Sequence, residues 1–140
     1  MPVFASLRVG EELPVLDKGP VTRQRLVEWC AAENDYYPLH YDERVAERMG
    51  LPGTPVQGTF RFALMGQLIE RWLGTSGSLR RITAAFRGLD LEGDLVCARG
   101  RIEQLTPHAH GGGRVLLSVR VENQRGETST LGEATVDLVS

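Results

Sequence analysis

The chain has 140 residues, 41% of them apolar and 24% charged, with 16 Lys and Arg against 18 Asp and Glu for a net charge of -2. That length suits one domain with its own core, and the balanced composition excludes a disordered, collagenous or coiled-coil chain. The slight acidic excess argues against a protein that holds nucleic acid by neutralising phosphates.

In chain order, Met1–Gly10 lacks the basic start and apolar run of a signal peptide. Glu11–Leu16 reads as a short strand carrying Leu13 and Val15, closed by Asp17-Lys18-Gly19-Pro20. Thr22 offers an N-cap for a helix bearing Leu26, Trp29 and Cys30, which is expected to end near Asn34-Asp35 because Pro38 disfavours a helical Tyr37. Asp42 caps a short helix over 43–49, stopped by Gly50, and Leu51–Pro55 is a stiff loop. The strongest helical signal runs from Gly58 to Leu73, where Phe62, Met65, Ile69, Trp72 and Leu73 share one face, widened by Leu64 and Leu68. Gly74-Thr75-Ser76-Gly77 terminates it. No stretch approaches the roughly 18 apolar residues of a spanning helix, so a cytoplasmic protein without membrane contact is expected.

The period then becomes two. Ile82, Ala84 and Phe86 alternate with polar residues, as do Val96 to Ile102, Val115 to Val121, and Ala134 to Leu138. Turn residues separate these runs at Gly93-Asp94, Gly111-Gly112-Gly113 and Gln124-Arg125-Gly126. One wide-striped helix and an antiparallel sheet of four or five strands bury their apolar faces most economically if the sheet curls around the helix. The expected class is therefore α+β: a hotdog fold, a curved antiparallel sheet wrapped around a long central helix, in a single domain over 1–140. Cys30 and Cys97 form no C-x-x-C pair and sit among apolar neighbours, which fits two buried reduced thiols.

One segment carries chemistry. Asn34-Asp35-Tyr36-Tyr37-Pro38-Leu39-His40-Tyr41-Asp42 places an acid and an imidazole five residues apart. On a helix those two side chains would diverge by about 140°; a bent loop stiffened by Pro38 can aim both at one point. Eighteen residues beyond His40 stands Gly58, at the start of the long helix. A helix start offers unpaired N–H groups and partial positive charge, and glycine lets a ligand oxygen come close. Acid, base and oxyanion donor are then present together.

The pattern Asp35-x-Tyr37-Pro38-Leu39-His40-x-Asp42 resembles the signature of MaoC-like dehydratases and (R)-specific enoyl-CoA hydratases, roughly G-D-x-N-P-[LI]-H-x-[DE]. Val56-Gln57-Gly58 resembles the family's [IV]-H-G, and Phe86-Arg87 and Gly93-Asp94 resemble its later strand and turn segments. The resemblance spans nearly the whole chain. It implies hydration and dehydration of 2-enoyl and 3-hydroxyacyl thioesters, with Asp35 and His40 as a catalytic dyad activating water. Gly58 would be the backbone donor to the thioester oxygen, with Gln57 and Tyr37 beside the substrate. Tyr37 stands where the family has Asn, and Gln57 where it has His. The resemblance implies no metal and no other cofactor. The substrate would be an acyl-CoA or acyl-carrier-protein thioester, handled by a homodimer or higher homo-oligomer, with a heterodimer as a variant. Two alternatives share the fold: a non-catalytic or half-site subunit of a heteromeric dehydratase, and a hotdog acyl-CoA thioesterase.

Other features read more plainly. His108 and His110 beside the triple glycine lack the third ligand that a defined metal site needs, so they belong to a solvated hairpin. The glycines lack the G-K-[ST] ending of a phosphate loop. Arg80, Arg81 and Arg87 suit either a solvated strand face or the phosphates of coenzyme A.

Overall fold

Residues 1–139 are described in the computed structural model, so position 140 of the expected domain lies outside them. The order is β1 (Leu16–Pro20), α1 (Arg23–Glu33), a 3-10 turn (Pro38–His40), α2 (Glu43–Arg48), α3 (Gly58–Leu73), β2 (Gly77–Ile82), β3 (Ala85–Phe86), β4 (Leu95–Pro107), β5 (Gly113–Glu122) and β6 (Thr128–Leu138). The strands form one antiparallel sheet in the order β1-β4-β5-β6-β2, with β3 also on β6.

The sheet curls around α3, which packs on β1, β2, β4 and β5. Alternation explains why: Val96, Ala98 and Ile102 of β4, Val115, Leu117, Val119 and Val121 of β5, and Ala134, Val136 and Leu138 of β6 all turn to one face and are buried. They meet Leu64, Met65, Leu68, Ile69 and Leu73 of α3 in a single core. Each Val, Leu, Ile or Met among them contributes about 1.5–3 kcal/mol when fully withdrawn from water.

Several expectations need correction. The first strand is Leu16–Pro20 rather than Glu11–Leu16; Glu12 makes only an isolated bridge to Arg101. The residues expected to close the strand are the strand, because it carries a bulge between Asp17 and Pro20. There Gly19 takes φ +63° and its N–H donates to Asp17 Oδ1 at 2.8 Å. Within the sheet β1 pairs β4 alone, and such an edge position tolerates a proline.

The strand expected around 82–87 is two strands broken at Thr83-Ala84. It starts at Gly77, inside the segment expected to be only a helix stop, because Gly77 already pairs with Leu138. Phe86, expected on the buried face, is half exposed. The β6 strand begins at Thr128, five residues before the alternation becomes legible at Glu133. Arg61 interrupts the apolar stripe of α3 yet is buried, whereas Phe62 and Trp72 are only partly so. Cys97 is half-buried, not buried; both thiols are free. Finally, α1 ends through Asn34 rather than through the effect of Pro38, as described next.

Candidate active site

The loop expected to carry chemistry begins with a helix stop. Asn34 adopts the left-handed conformation at φ 59°, its N–H donating to Ala31 O, while the N–H of Asp35 donates to Cys30 O at 3.0 Å. These two bonds make a Schellman closure of α1, with Asn in the role glycine usually fills. The chain reverses here, and Asp35 Oδ1 accepts from the Tyr37 N–H at 3.2 Å, an Asx turn. Pro38–His40 then forms one 3-10 turn, and Asp42 caps α2 by accepting from Arg44 N–H at 2.9 Å. The Tyr41 hydroxyl donates to Tyr36 O at 3.0 Å and closes the loop across its base.

His40 is half-buried, and its Nδ1 lies 2.8 Å from the carbonyl oxygen of Pro55. A carbonyl only accepts, so Nδ1 carries the hydrogen. In the neutral ring Nε2 is then left with its lone pair free, the arrangement a general base requires. Pro55 sits three residues before Gly58, so this one bond ties the imidazole to the start of α3.

Asp35 is placed differently. It is exposed, and no hydrogen bond joins it to His40 among the described residues. The structure ties His40 to the segment that leads into α3 and leaves the exposed Asp35 carboxylate with one oxygen committed to its own turn. Tyr37 flanks the imidazole edge-on, with ring centroids 6.1 Å apart, and its hydroxyl points to Met49 Sδ at 3.6 Å.

Gly58 is the first residue of α3, so its N–H has no partner within the helix. A Cβ here would approach the Phe86 ring to 3.2 Å. Glycine thus lets an aromatic ring close one side of the helix start. Two further bonds hold that start against α1: Trp29 Nε1–H donates to Thr59 Oγ1 at 3.0 Å, and Gln57 Nε2 donates to Leu26 O at 3.0 Å and to Cys30 Sγ at 3.2 Å. The Gln57 side chain is buried under α1, and its Oε1 has no partner. On the other flank, Val56 N–H donates to Asp90 O at 2.8 Å, fixing the approach to α3 against the segment before β4.

The loop sequence drew attention to Asp35, Tyr37, His40, Gln57 and Gly58. Three further residues of this neighbourhood were not among the candidate site residues. Pro55 acts only through its carbonyl, for which no side-chain signal exists. Phe86 was assigned to the core by its place in the alternation. Arg61 carried a readable signal: a cation on the stripe shared by Leu64, Met65 and Leu68.

No group of three or more His, Cys, Asp and Glu side chains able to hold a metal occurs among the described residues. His108 and His110 stack with centroids 5.6 Å apart, and His108 Nε2 lies 3.6 Å from Asp137. No helix among the described residues is long and apolar enough to cross a membrane.

A family model for the MaoC-like domain matches residues 6–126. Among curated proteins, the fatty acid synthase subunit beta of Aspergillus oryzae is 32% identical over 112 residues, 78% of this chain; the chain spans about 5% of that relative's length. Among solved structures, an (R)-hydratase from A. caviae involved in PHA biosynthesis superposes with a TM-score of 0.84 at 25% identity, covering 95% of this chain and 98% of that one. The R-hydratase PhaJ1 from Pseudomonas aeruginosa gives 0.84 at 22% identity over 97% and 84% of the two chains. A chain of the ChsH1-ChsH2 complex from Mycobacterium tuberculosis gives 0.81 at 19% over 94% and 98%. The fold is the hotdog fold of MaoC-like hydratases, as expected.

Proposed function

The chain belongs to the MaoC-like domain family, and from that premise we propose that it adds water to 2-enoyl thioesters and removes it from 3-hydroxyacyl thioesters, as one domain over 1–140. The observation that carries this reading is the 2.8 Å contact of His40 Nδ1 with Pro55 O. It supports His40 as the base, because it leaves Nε2 free and holds the ring beside the helix start that would bind the thioester oxygen.

The proposed steps run as follows. The thioester carbonyl accepts from the Gly58 N–H, and the N-terminal dipole of α3 stabilises the charge that builds on that oxygen as C3 is attacked. His40 Nε2 takes a proton from water. Asp35 holds that water from the other side through the oxygen not used by its own turn. Return of the proton to C2 completes the 3-hydroxyacyl product. Tyr37 borders the water, while Gln57 serves the site by anchoring α3 to α1.

The loop needs a cover. Tyr36, Tyr37 and Met49 are each about half exposed around it, at 57%, 47% and 53%, and Phe86 is 49% exposed beside Gly58. An apolar rim of this kind around polar groups suits a second protein surface. A second copy of this chain is the occupant proposed, and a different hotdog chain is the second reading, in which this chain supplies one half of a shared site. The substrate is carried as a thioester of coenzyme A or of a carrier protein. Incubation of the purified protein with a short 2-enoyl-CoA, following loss of the conjugated absorbance, tests the reaction. Disappearance of the chromophore without release of free thiol is expected; thiol release would assign a thioesterase instead, and no change at all would defeat both.

A further inference from the structure

We propose that Arg61 is a positioning residue for the oxyanion end of this site, its buried charge strengthening the positive field at the start of α3 and its guanidinium holding the Phe86 ring against Gly58. The inference rests on the hydration reading above. Arg61 is the fourth residue of α3 and only 5% exposed. Its Nη1–H donates to Gly88 O at 2.8 Å, and its guanidinium carbon lies 5.1 Å from the centre of the Phe86 ring. The tip of the same ring is the group a Cβ on Gly58 would meet at 3.2 Å. One aromatic ring therefore touches both the cation and the glycine whose N–H faces the substrate oxygen.

Beyond the Gly88 bond and the Phe86 contact, the location costs folding energy. Burial withdraws the charge from water. The first turn of a helix is its positive end, where a cation is repelled. The Nε atom is buried without a partner. The opposing charge, Asp90, is fully buried, but one of its oxygens is taken by the Ser129 hydroxyl and the other, Oδ1, has no partner. Asp90 attracts Arg61 through space, yet among the described residues Arg61 Nε and Asp90 Oδ1 are both without hydrogen-bond partners. Burial also pulls the Arg61 pKa down from its ordinary value, against that attraction.

The same features serve an anion. The positive helix end and the buried cation repel each other in the resting protein and both attract an oxyanion formed at Gly58. The thioester oxygen is uncharged in the bound substrate and acquires charge only as C3 is attacked, so this field acts mainly on the transition state. Water is largely excluded around Arg61, which lessens the screening of its charge.

The test compares wild type, R61K, R61M and R61M/D90N by steady-state kinetics on a short 2-enoyl-CoA, with thermal melting of each. The double variant removes both buried charges. It is expected to melt at or above the wild-type temperature while kcat falls about tenfold and KM stays within about threefold, less than the loss of a direct oxyanion donor. R61K, which keeps the charge, is expected to recover most of kcat. A structural role would instead lower melting temperature and activity together. An R61M/D90N kcat within about twofold of wild type overturns the inference, and so does a failure of R61K to exceed R61M. If the double variant does not fold, R61Q decides: it keeps a donor for Gly88 without the charge, and an unaltered kcat overturns the proposal. Wild type without turnover would remove the hydration reading and this inference together, whereas an active wild type matched by its variant removes this inference alone.

Discussion

His40 hangs from the carbonyl of Pro55, 15 residues further along the chain, through a 2.8 Å hydrogen bond from Nδ1. The bond sets the tautomer of the ring and the distance of the ring from the start of α3 at the same time. Its first consequence is kinetic. His40→Ala removes the proposed base, and Asp35→Asn removes the charge proposed to hold the water from its far side. Each is expected to lower the rate of enoyl-CoA hydration by about 10²–10⁴-fold with the melting temperature little changed, since neither side chain is part of the core. Rates unchanged in both variants would end the dyad mechanism.

Gly58→Ala separates backbone chemistry from helix stability. Gly58 takes an ordinary helical conformation, so alanine introduces no backbone strain; the difficulty is the Phe86 ring 3.2 Å from the new methyl. The ring is half exposed and can give way, so stability is expected to stay within about 1 kcal/mol of wild type. Turnover should fall by about tenfold or more, because the ring and the helix start no longer keep their spacing. Parallel melts and kcat measurements check this, and a fall in stability with kcat preserved would contradict it.

Gln57 is expected to behave as an anchor. Gln57→Leu keeps the volume and removes both the buried donor bonded to Leu26 O and the unpartnered Oε1. Loss of the bond to Leu26 O and of the weaker one to Cys30 Sγ, offset by removal of an orphaned acceptor, is expected to change stability by only about 1 kcal/mol. The KM for enoyl-CoA should stay near wild type. A large rise in KM with unchanged melting would move Gln57 back among the groups that contact substrate.

Asp90 sets a pH dependence of stability. Burial, the largest influence, holds its carboxyl above the ordinary range, against the Ser129 hydroxyl and the attraction of Arg61. The folded protein therefore keeps this proton more tightly than the unfolded chain does. The associated stability is complete below the unfolded value near 3.8 and is lost as pH rises through the folded pKa. Asp90→Asn stays neutral at every pH. Its melting temperature is expected to exceed that of wild type at about pH 8, with the gap closing as pH falls toward the ordinary carboxylate value. A gap that is constant with pH would show that Asp90 does not titrate.

Much of this was legible before any coordinates. The span of α3 is bracketed by Gly58 and Gly74 around a wide apolar stripe, and the alternation in β4 and β5 needs no partner to be seen. Both periods are local properties of the backbone, so residues a few positions apart declare them. The order Asp35, His40, Gly58 was equally plain, because it is a matter of residue type and spacing.

Which groups those residues touch was decided only by the tertiary structure. The turn-forming string Asp17–Pro20 became an edge strand because β4 lay alongside it, and Arg61 became buried because the segment after β3 closed over it. Asp90 meets Ser129 across 39 residues, and Gln57 meets Leu26 across 31. Such contacts depend on how distant segments come together in three dimensions. A linear pattern reports only which face of an element is apolar, and is silent on what that face will meet.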